Sequence, residues 1–174
     1  MSCYLCKNNK YSKRTGNVRD NPDIDILECE DCGLVYLSSL NHIQENHYKE
    51  SGMHEDKVPD IDNWLKETEF DDKRRYEFVK EKMTNKTVLD FGCGIGGFLD
   101  LAKKSASSIS GIELERALQP SFKQRGLDVF KDLAAAQTAN KKYDIITAFH
   151  VVEHLQDPVS VLSQLSQVLA GGVR

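Results

Sequence analysis

A glycine-rich run is the first group of residues whose types and spacing could do chemistry. Residues 88–97 read Val-Leu-Asp-Phe-Gly-Cys-Gly-Ile-Gly-Gly, and Gly92, Gly94 and Gly97 satisfy the spacing G-x-G-x-x-G. Glycine has no Cβ, so such a chain turns tightly and lets a ligand approach the backbone. The apolar residues on either side predict a strand, a tight loop and a helix. We therefore expect a cofactor-binding loop here.

Asp90 indicates which cofactor the loop would take. It stands two residues before Gly92, near the mouth of the predicted loop. A carboxylate there would repel the pyrophosphate of a dinucleotide, but it would attract an ammonium or sulfonium group. The position of Asp90 therefore favours S-adenosylmethionine over a nicotinamide cofactor.

Glu113 is predicted to bind the ribose of the same cofactor. It lies in a second β-type run, 108–114, and stands 21 residues after Gly92. A carboxylate at the carboxyl end of the neighbouring strand can accept hydrogen bonds from both ribose hydroxyls. Leu114 beside it is predicted to pack on the adenine. A surface acid is the alternative interpretation of Glu113.

Three further residues complete the predicted cofactor contacts. Cys93 and Gly96 belong to the glycine loop, where we expect Cys93 to be packed rather than nucleophilic. Asp132 follows a third short β-type run, 127–130, and is predicted to meet the adenine amino group.

A group of side chains that can transfer protons follows a fourth apolar run. Residues 143–149 are nearly all apolar, which suits a parallel strand covered on both faces. His150, Glu153 and His154 come directly after it, at the end where ligands bind in open α/β sheets. We expect His150 or His154 to take a proton from an acceptor, with Glu153 orienting the histidine or acting as base. A helix cap or a packed core position is the alternative for each.

Four cysteines near the N-terminus have the spacing of a metal site. Cys3 and Cys6 form one C-x2-C pair, and Cys29 and Cys32 form a second pair, with 22 residues between the two pairs. Two such pairs can close a tetrahedral zinc site, and four protein ligands leave no open position for water activation. We therefore predict a structural zinc ribbon. Reduced core cysteines and a redox dithiol are the alternatives.

These elements predict an α/β chain with three segments. Residues 1–37 would form the zinc ribbon, 38–85 a connector with a docking helix, and 86–174 a partial Rossmann-like domain. In that domain we expect a parallel sheet with flanking helices and the strand order 3-2-1-4.

The connector carries three histidines, His42, His47 and His54, whose spacings fit no compact metal-binding pattern. We interpret them as solvated or packed, and Tyr48 and Trp64 as candidates to cap a ligand pocket.

Residues 68–83 predict an amphipathic helix that docks on the following domain. The expected inward positions are Phe70, Tyr76, Phe78, Val79 and Met83. The basic run 73–75 is interpreted as a solvated face, with the binding of an anionic substrate as the alternative.

Composition limits the classes of partner. The formal net charge is -4 and 29% of residues are charged, which gives no general attraction to nucleic acid or to an anionic membrane. We found neither a secretory signal nor a run of 18 apolar residues, so we expect a cytoplasmic location and no membrane partner.

The glycine run, the Gly-Ile-Glu-Leu of 111–114 and the run from Tyr143 to Pro158 resemble those of class I S-adenosylmethionine-dependent methyltransferases. The resemblance covers 86–174 and implies that the glycine loop holds the methionine portion, with Asp90 at its amino end. The cysteine-rich segment is similar to a zinc-ribbon branch associated with methylation of small molecules or sugar nucleotides.

The same resemblance implies that a full domain would enter a fifth strand after Leu169. We therefore expect a fragment, a truncated form or an obligate oligomer in which another chain covers the edge strand 143–149. The predicted function is methyl transfer to a small molecule, with a sugar nucleotide as one candidate. The alternatives are a non-catalytic cofactor-binding or interaction module and an NAD-dependent oxidoreductase.

Overall fold

The computed structural model describes residues 2–18, 21–39 and 60–171, which contain two separate β-sheets. The three histidines and the tyrosine of the connector, His42, His47, His54 and Tyr48, lie outside the described residues.

The smaller sheet belongs to the cysteine-rich segment. Strands β1 (Tyr11–Arg14), β2 (Ile26–Cys29) and β3 (Val35–Leu37) pair antiparallel in that order. A small core of Cys3, Leu27, Cys29 and Tyr36 lies under this sheet. So little apolar surface is a weak driving force for folding, which is why modules of this size usually depend on a metal or disulfides.

The larger sheet is parallel and has four strands: β4 (Thr87–Phe91), β5 (Ser108–Ile112), β6 (Asp128–Phe130) and β7 (Ile145–Thr147). Their order is β6-β5-β4-β7, which confirms the predicted order 3-2-1-4 and the predicted Rossmann-like fold class. In this register Asp90 of β4 pairs with Gly111 of β5 and with Thr147 of β7.

Within the residues that the structure describes, five helices accompany the larger sheet. They are α1 (Ile61–Met83), α2 (Gly97–Ala102), α3 (Gln119–Gln124), α4 (Leu133–Thr138) and α5 (Pro158–Ser166), with single 3₁₀ turns at Arg116–Leu118 and Val152–His154. Aspartates cap several of the amino ends: Asp157 accepts a hydrogen bond from the Ser160 amide at 3.0 Å, with Pro158 in the first turn of the helix. No helix in the described parts of the chain has the length and apolar content needed to span a bilayer.

Helices cover both faces of the parallel sheet. Val88 and Leu89 are successive residues of β4 and are fully buried on opposite faces, because side chains alternate along a strand. One cluster combines Val88 with Met83 of α1 and Phe98 of α2. The second combines Leu89 with residues of β5, α4 and α5. The central strand is therefore fixed from both sides.

Helix α1 starts earlier than predicted and its predicted inward face was partly wrong. Phe70 and Phe78 are 78% and 75% exposed, whereas Val79 and Met83 are buried. Trp64, predicted to cap a pocket, lies in α1 and packs against the hydrophobic core. Aromatic residues occur on both sides of this helix, so composition alone did not reveal which side faces the sheet.

The basic run on α1 separates into two roles. Lys73 and Arg74 are exposed and pair with carboxylates on the same helix. Arg75 turns the other way: its guanidinium lies 5.6 Å from the ring centre of Phe149, at the end of the sheet where β7 stops.

Helix α5 and the residues directly after it bury only part of their apolar surface. Leu165 and Val168 are buried, but Val159 and Leu162 are 40% and 48% exposed. Leu169 forms an isolated parallel bridge with Tyr143, outside the four named strands.

Candidate cofactor and active site

The carboxyl ends of β4, β5 and β7 open into a cavity of about 260 Å³. Ligands of open α/β sheets bind at this end of the strands. The cavity is lined by Phe91, Gly92, Gly94, Ile112, Glu113, Leu114, His150, Val151, His154 and Leu155. Six of these ten residues were predicted from the sequence as site residues: Gly92, Gly94, Glu113, Leu114, His150 and His154.

The glycine loop is fastened to the neighbouring strand. The backbone N–H groups of Gly92 and Cys93 both donate to the Ile112 carbonyl, at 2.9 and 3.0 Å. Gly92 has φ +73°, and a Cβ added there would lie 2.5 Å from a methyl carbon of Val151. A side chain at this position would be strained and would clash, so the fold itself requires glycine.

Gly94 differs from Gly92 because it borders open space. Its φ is +52°, and a Cβ added there would meet no atom within 4 Å. The Gly94 N–H donates a 2.8 Å hydrogen bond to Oε2 of Glu113. The loop is therefore bare on the side of the cavity and tied to an acid at its edge, which is the arrangement of a ligand cradle.

Glu113 is half-buried and anchored by backbone donors on both oxygens. Besides Gly94, the Glu115 N–H donates to Oε1 at 2.9 Å. Burial raises the pKa of this carboxyl, and the backbone hydrogen bonds from Glu115 and Gly94 oppose that rise. A carboxylate oxygen can accept more than one hydrogen bond, so Glu113 retains capacity for hydroxyl donors from the cavity.

Asp90 is 3% exposed and does not line the cavity. Its Oδ1 accepts a 2.7 Å hydrogen bond from the Thr147 hydroxyl of β7. Burial raises the pKa of Asp90 to about 7, against the opposing effects of Thr147 and Arg75. Its charge would therefore act on a ligand through the loop.

His150 lies at the other side of the cavity, directly after Phe149. Its backbone has φ +55°, a left-handed conformation that is uncommon for residues other than glycine and that occurs disproportionately at functional sites. Its Nδ1 lies 3.6 Å from Oε1 of Glu153, and both side chains are exposed. His150 and His154 line the cavity, whereas Glu153 does not. The structure thus brings both predicted imidazoles to the site and places Glu153 beside one of them.

Three predicted cofactor residues have other neighbours. Asp132 caps α4, with its Oδ1 accepting from the Ala135 amide at 2.7 Å, and it does not line the cavity. Cys93 is buried, and burial raises the pKa of its thiol well above the ordinary value. Gly96 packs against Leu127 and Phe122. A direct cofactor contact by any of the three stays a prediction.

The site also contains residues that sequence reasoning missed. Phe91, Val151 and Leu155 line the cavity with apolar surface. Arg75 of α1 acts electrostatically on Asp90 and stacks over Phe149. Arg75 pairs at 3.5 Å with Asp72, three residues earlier, which is itself buried; the sequence pattern carried no signal that separates Arg75 from its exposed basic neighbours.

The four N-terminal cysteines converge into one cluster. All four sulfurs lie within 4.8 Å of one another, with Cys3 and Cys32 at 3.6 Å and Cys6 and Cys29 at 3.4 Å. Sulfurs bound tetrahedrally to one zinc ion at about 2.3 Å lie roughly 3.8 Å apart, so the cluster fits a four-thiolate site. Three of these thiols differ in acidity: a backbone hydrogen bond from Cys6 is the largest of the effects that lower the pKa of the Cys3 thiol to about 7, whereas the pKa of Cys6 is raised to about 12 and that of Cys32 is also raised. The metal-site assignment therefore rests on the positions of the sulfurs.

Comparisons with known proteins agree on one family. A family described as a methyltransferase domain matches residues 62–174. The chain is 31% identical over 108 residues to a ubiquinone biosynthesis O-methyltransferase of Hydrogenovibrio crunogenus, covering 56% of this chain and 45% of the relative. It is 26% identical over 124 residues to a protein of the same name in Pseudomonas paraeruginosa, and the match covers 63% of this chain and 53% of the relative. The chain thus spans about half the length of these curated relatives.

Solved structures show the same fold. The plantazolicin methyltransferase in complex with SAH matches with a TM-score of 0.55 at 22% identity, over 75% of this chain and 56% of that chain. The magnesium protoporphyrin IX methyltransferase of Synechocystis with bound SAH matches with a TM-score of 0.50 at 16% identity, over 71% of this chain and 65% of that chain. At these identities the likeness establishes the fold alone.

Proposed function

We propose, because this chain belongs to the methyltransferase domain family, that it binds S-adenosylmethionine and transfers the methyl group to a hydroxyl oxygen of a small molecule. The curated relatives are named as O-methyltransferases of ubiquinone biosynthesis, which supports a small-molecule acceptor and an oxygen as the methylated atom.

The observation that carries the proposal is the hydrogen bond between the Gly94 N–H and Glu113. It places a carboxylate at the edge of a bare glycine loop, beside a cavity that Leu114 lines on the same side. Glu113 would accept the ribose hydroxyls, and Leu114 would pack on the adenine.

At the other end of the loop, the buried carboxyl of Asp90 supplies negative charge near the position expected for a cationic ligand. The bound cofactor supplies an electrophilic methyl group on a positively charged sulfur. The Asp90 carboxylate would attract that cation and the amino group of the methionine portion, whereas it would repel a pyrophosphate. This is the basis for preferring S-adenosylmethionine to NAD.

His150 and His154 are proposed to serve the acceptor. In the transfer, the carbon–sulfur bond of the donor breaks as a carbon–oxygen bond to the acceptor forms, and the hydroxyl proton must leave. An imidazole nitrogen at the cavity wall can accept that proton. Glu153, 3.6 Å from Nδ1 of His150, would orient this ring.

The cysteine cluster is proposed to hold one structural zinc ion. Cys3, Cys6, Cys29 and Cys32 would be its four ligands, and the ion would tie the turn that precedes β1 to the turn after β2. Four thiolates complete the zinc coordination shell, so the ion would stabilise the module and would not take part in methyl transfer.

Calorimetric titration of the chain with S-adenosylhomocysteine, S-adenosylmethionine and NAD tests the proposed cofactor. We expect one molecule of S-adenosylhomocysteine or S-adenosylmethionine to bind per chain, and no binding of NAD. Binding of NAD alone would refute the proposal and favour an oxidoreductase.

Methyl transfer is tested with radiolabelled S-adenosylmethionine and a panel of hydroxylated small molecules, catechols and phenols included. Incorporation of label is expected to fall at least tenfold in His150→Ala or His154→Ala while S-adenosylhomocysteine still binds. Cofactor binding without transfer to any acceptor would instead favour a non-catalytic binding module.

A further inference from the structure

Arg125 contacts the glycine loop and is not among the residues that line the cavity. It is the C-cap residue of α3, and its guanidinium donates to the carbonyl oxygens of Ile95 at 2.6 Å and Gly96 at 3.2 Å. Arg125 does not line the cavity, so these hydrogen bonds link the loop to a distant part of the chain.

The guanidinium is itself held in place by Asp100 of α2. Nε of Arg125 donates to Oδ2 of Asp100 at 3.2 Å, and a terminal nitrogen of the same group contacts the same oxygen. The Arg125 side chain is 17% exposed. A rigid fork of donors that is held by a carboxylate fixes the direction of the two carbonyls more firmly than a flexible cation would.

The direction of these carbonyls determines the shape of the loop. A trans peptide is planar, so turning the Ile95 carbonyl toward Arg125 turns the Gly96 N–H the opposite way. That N–H donates to the Cys93 carbonyl at 3.0 Å and closes a four-residue turn with Gly94 inside it. The Gly94 N–H is thereby presented to Glu113.

We propose that Arg125 is a positioning residue for cofactor binding: it holds the turn from Cys93 to Gly96 so that Gly94 and Glu113 meet at the cavity. It acts through the backbone of the loop and does not touch the ligand. This inference rests on the proposed binding of S-adenosylmethionine by this cavity. A glycine-rich loop has little conformational preference of its own, so the cradle needs an external hold on its carbonyl groups.

The test measures the affinity of the 174-residue chain for S-adenosylhomocysteine in four forms: wild type, Arg125→Ala, Arg125→Lys and Arg74→Ala. Arg74 is a matched control, because it is an exposed arginine whose guanidinium pairs with Asp71 of the same helix. We expect Arg125→Ala to weaken binding roughly ten- to a hundredfold, the range for lost hydrogen bonds to a charged donor, and Arg74→Ala to leave it unchanged.

Arg125→Lys is expected to bind with intermediate affinity, since it keeps the charge near Asp100 but loses the fork. Millimolar methylguanidinium should restore much of the affinity of Arg125→Ala by occupying the vacated position. A residue with only a structural role would lower the melting temperature without changing affinity in the folded protein, and would show no such rescue.

The outcomes separate the two proposals. If wild type does not bind S-adenosylhomocysteine, the proposed function fails and this inference fails with it. If wild type binds and Arg125→Ala binds equally well, the role of Arg125 alone is refuted. If Arg125→Ala does not fold, Arg125→Lys and Asp100→Asn decide the question, and unchanged affinity in both would overturn the inference.

Discussion

The carboxylate of Glu113 and the backbone N–H of Gly94 form a 2.8 Å hydrogen bond that joins the end of β5 to the glycine loop after β4. This hydrogen bond connects the glycine loop to the predicted ribose-binding carboxylate, although the two residues are 19 positions apart in the chain. The affinity of the site for a ligand should therefore depend on both together.

Glu113→Gln should weaken binding of S-adenosylhomocysteine by roughly ten- to a hundredfold, because a neutral amide replaces charge-assisted hydrogen bonds to the ribose. Calorimetry measures the effect. Glu69→Gln is the control, since Glu69 is exposed on α1 and pairs with Lys73. Equal affinities in wild type and Glu113→Gln would contradict the assignment of the ribose site.

Cofactor affinity should rise with pH through about 7, where Asp90 ionises. A cationic ligand prefers the charged carboxylate, so we expect S-adenosylmethionine, whose sulfonium is positively charged, to bind more tightly at pH 8 than at pH 6. Asp90→Asn should flatten this profile, although Glu113 leaves some dependence because its pKa is also raised. A steep profile that persists unchanged in Asp90→Asn would contradict the prediction.

The stability of the ligand-free chain should change in the opposite direction. The pKa of Asp90 is higher in the folded state than the value of about 3.9 expected for the unfolded chain, so the folded state binds more protons between these values. The protonated Asp90 carboxyl therefore contributes fully to the free energy of unfolding below the unfolded pKa, and this contribution is lost as the pH rises to about 7. In denaturant titrations between these two pH values, the free energy of unfolding should fall less in Asp90→Asn than in the wild type.

Two glycines of the loop should respond differently to alanine. Gly92→Ala combines a left-handed backbone with a clash against Val151, and should cost about 2–4 kcal/mol of stability. Gly94→Ala meets no neighbouring atom and should cost about 1–2 kcal/mol, but its methyl group would enter the open space beside the cavity. Thermal unfolding measures the loss of stability in each variant, and titration with S-adenosylhomocysteine measures the effect on ligand binding. A larger loss of stability in Gly94→Ala than in Gly92→Ala would contradict the geometry.

The isolated chain should contain one zinc ion, measurable by elemental analysis. Cys29→Ser should abolish stoichiometric zinc and unfold the module of β1, β2 and β3, because a serine hydroxyl is a poor replacement for a thiolate. Cys93→Ala is the control, since this fifth cysteine lies in the glycine loop and should retain the ion. Metal-free protein with an intact N-terminal sheet would refute the zinc site.

The sequence alone determined the fold class, the strand order and the two motifs. The glycine run and the cysteine pairs are local patterns whose chemistry follows from residue type and spacing, so short-range reasoning identified them. The positions of Glu113 and His150 after their strands followed from the rule that parallel strands end at the same edge of a sheet.

Only the tertiary structure decided which side chains meet. Asp132 follows a strand as Glu113 does, yet its Oδ1 caps a helix, because the nearest amide belongs to the next turn of the chain. Phe70 has an apolar side chain of the kind that usually lies in a core, but it is exposed on the outer side of α1. Arg125 carries no motif, and its hold on the glycine loop arises from a contact across 30 residues, which no local pattern records.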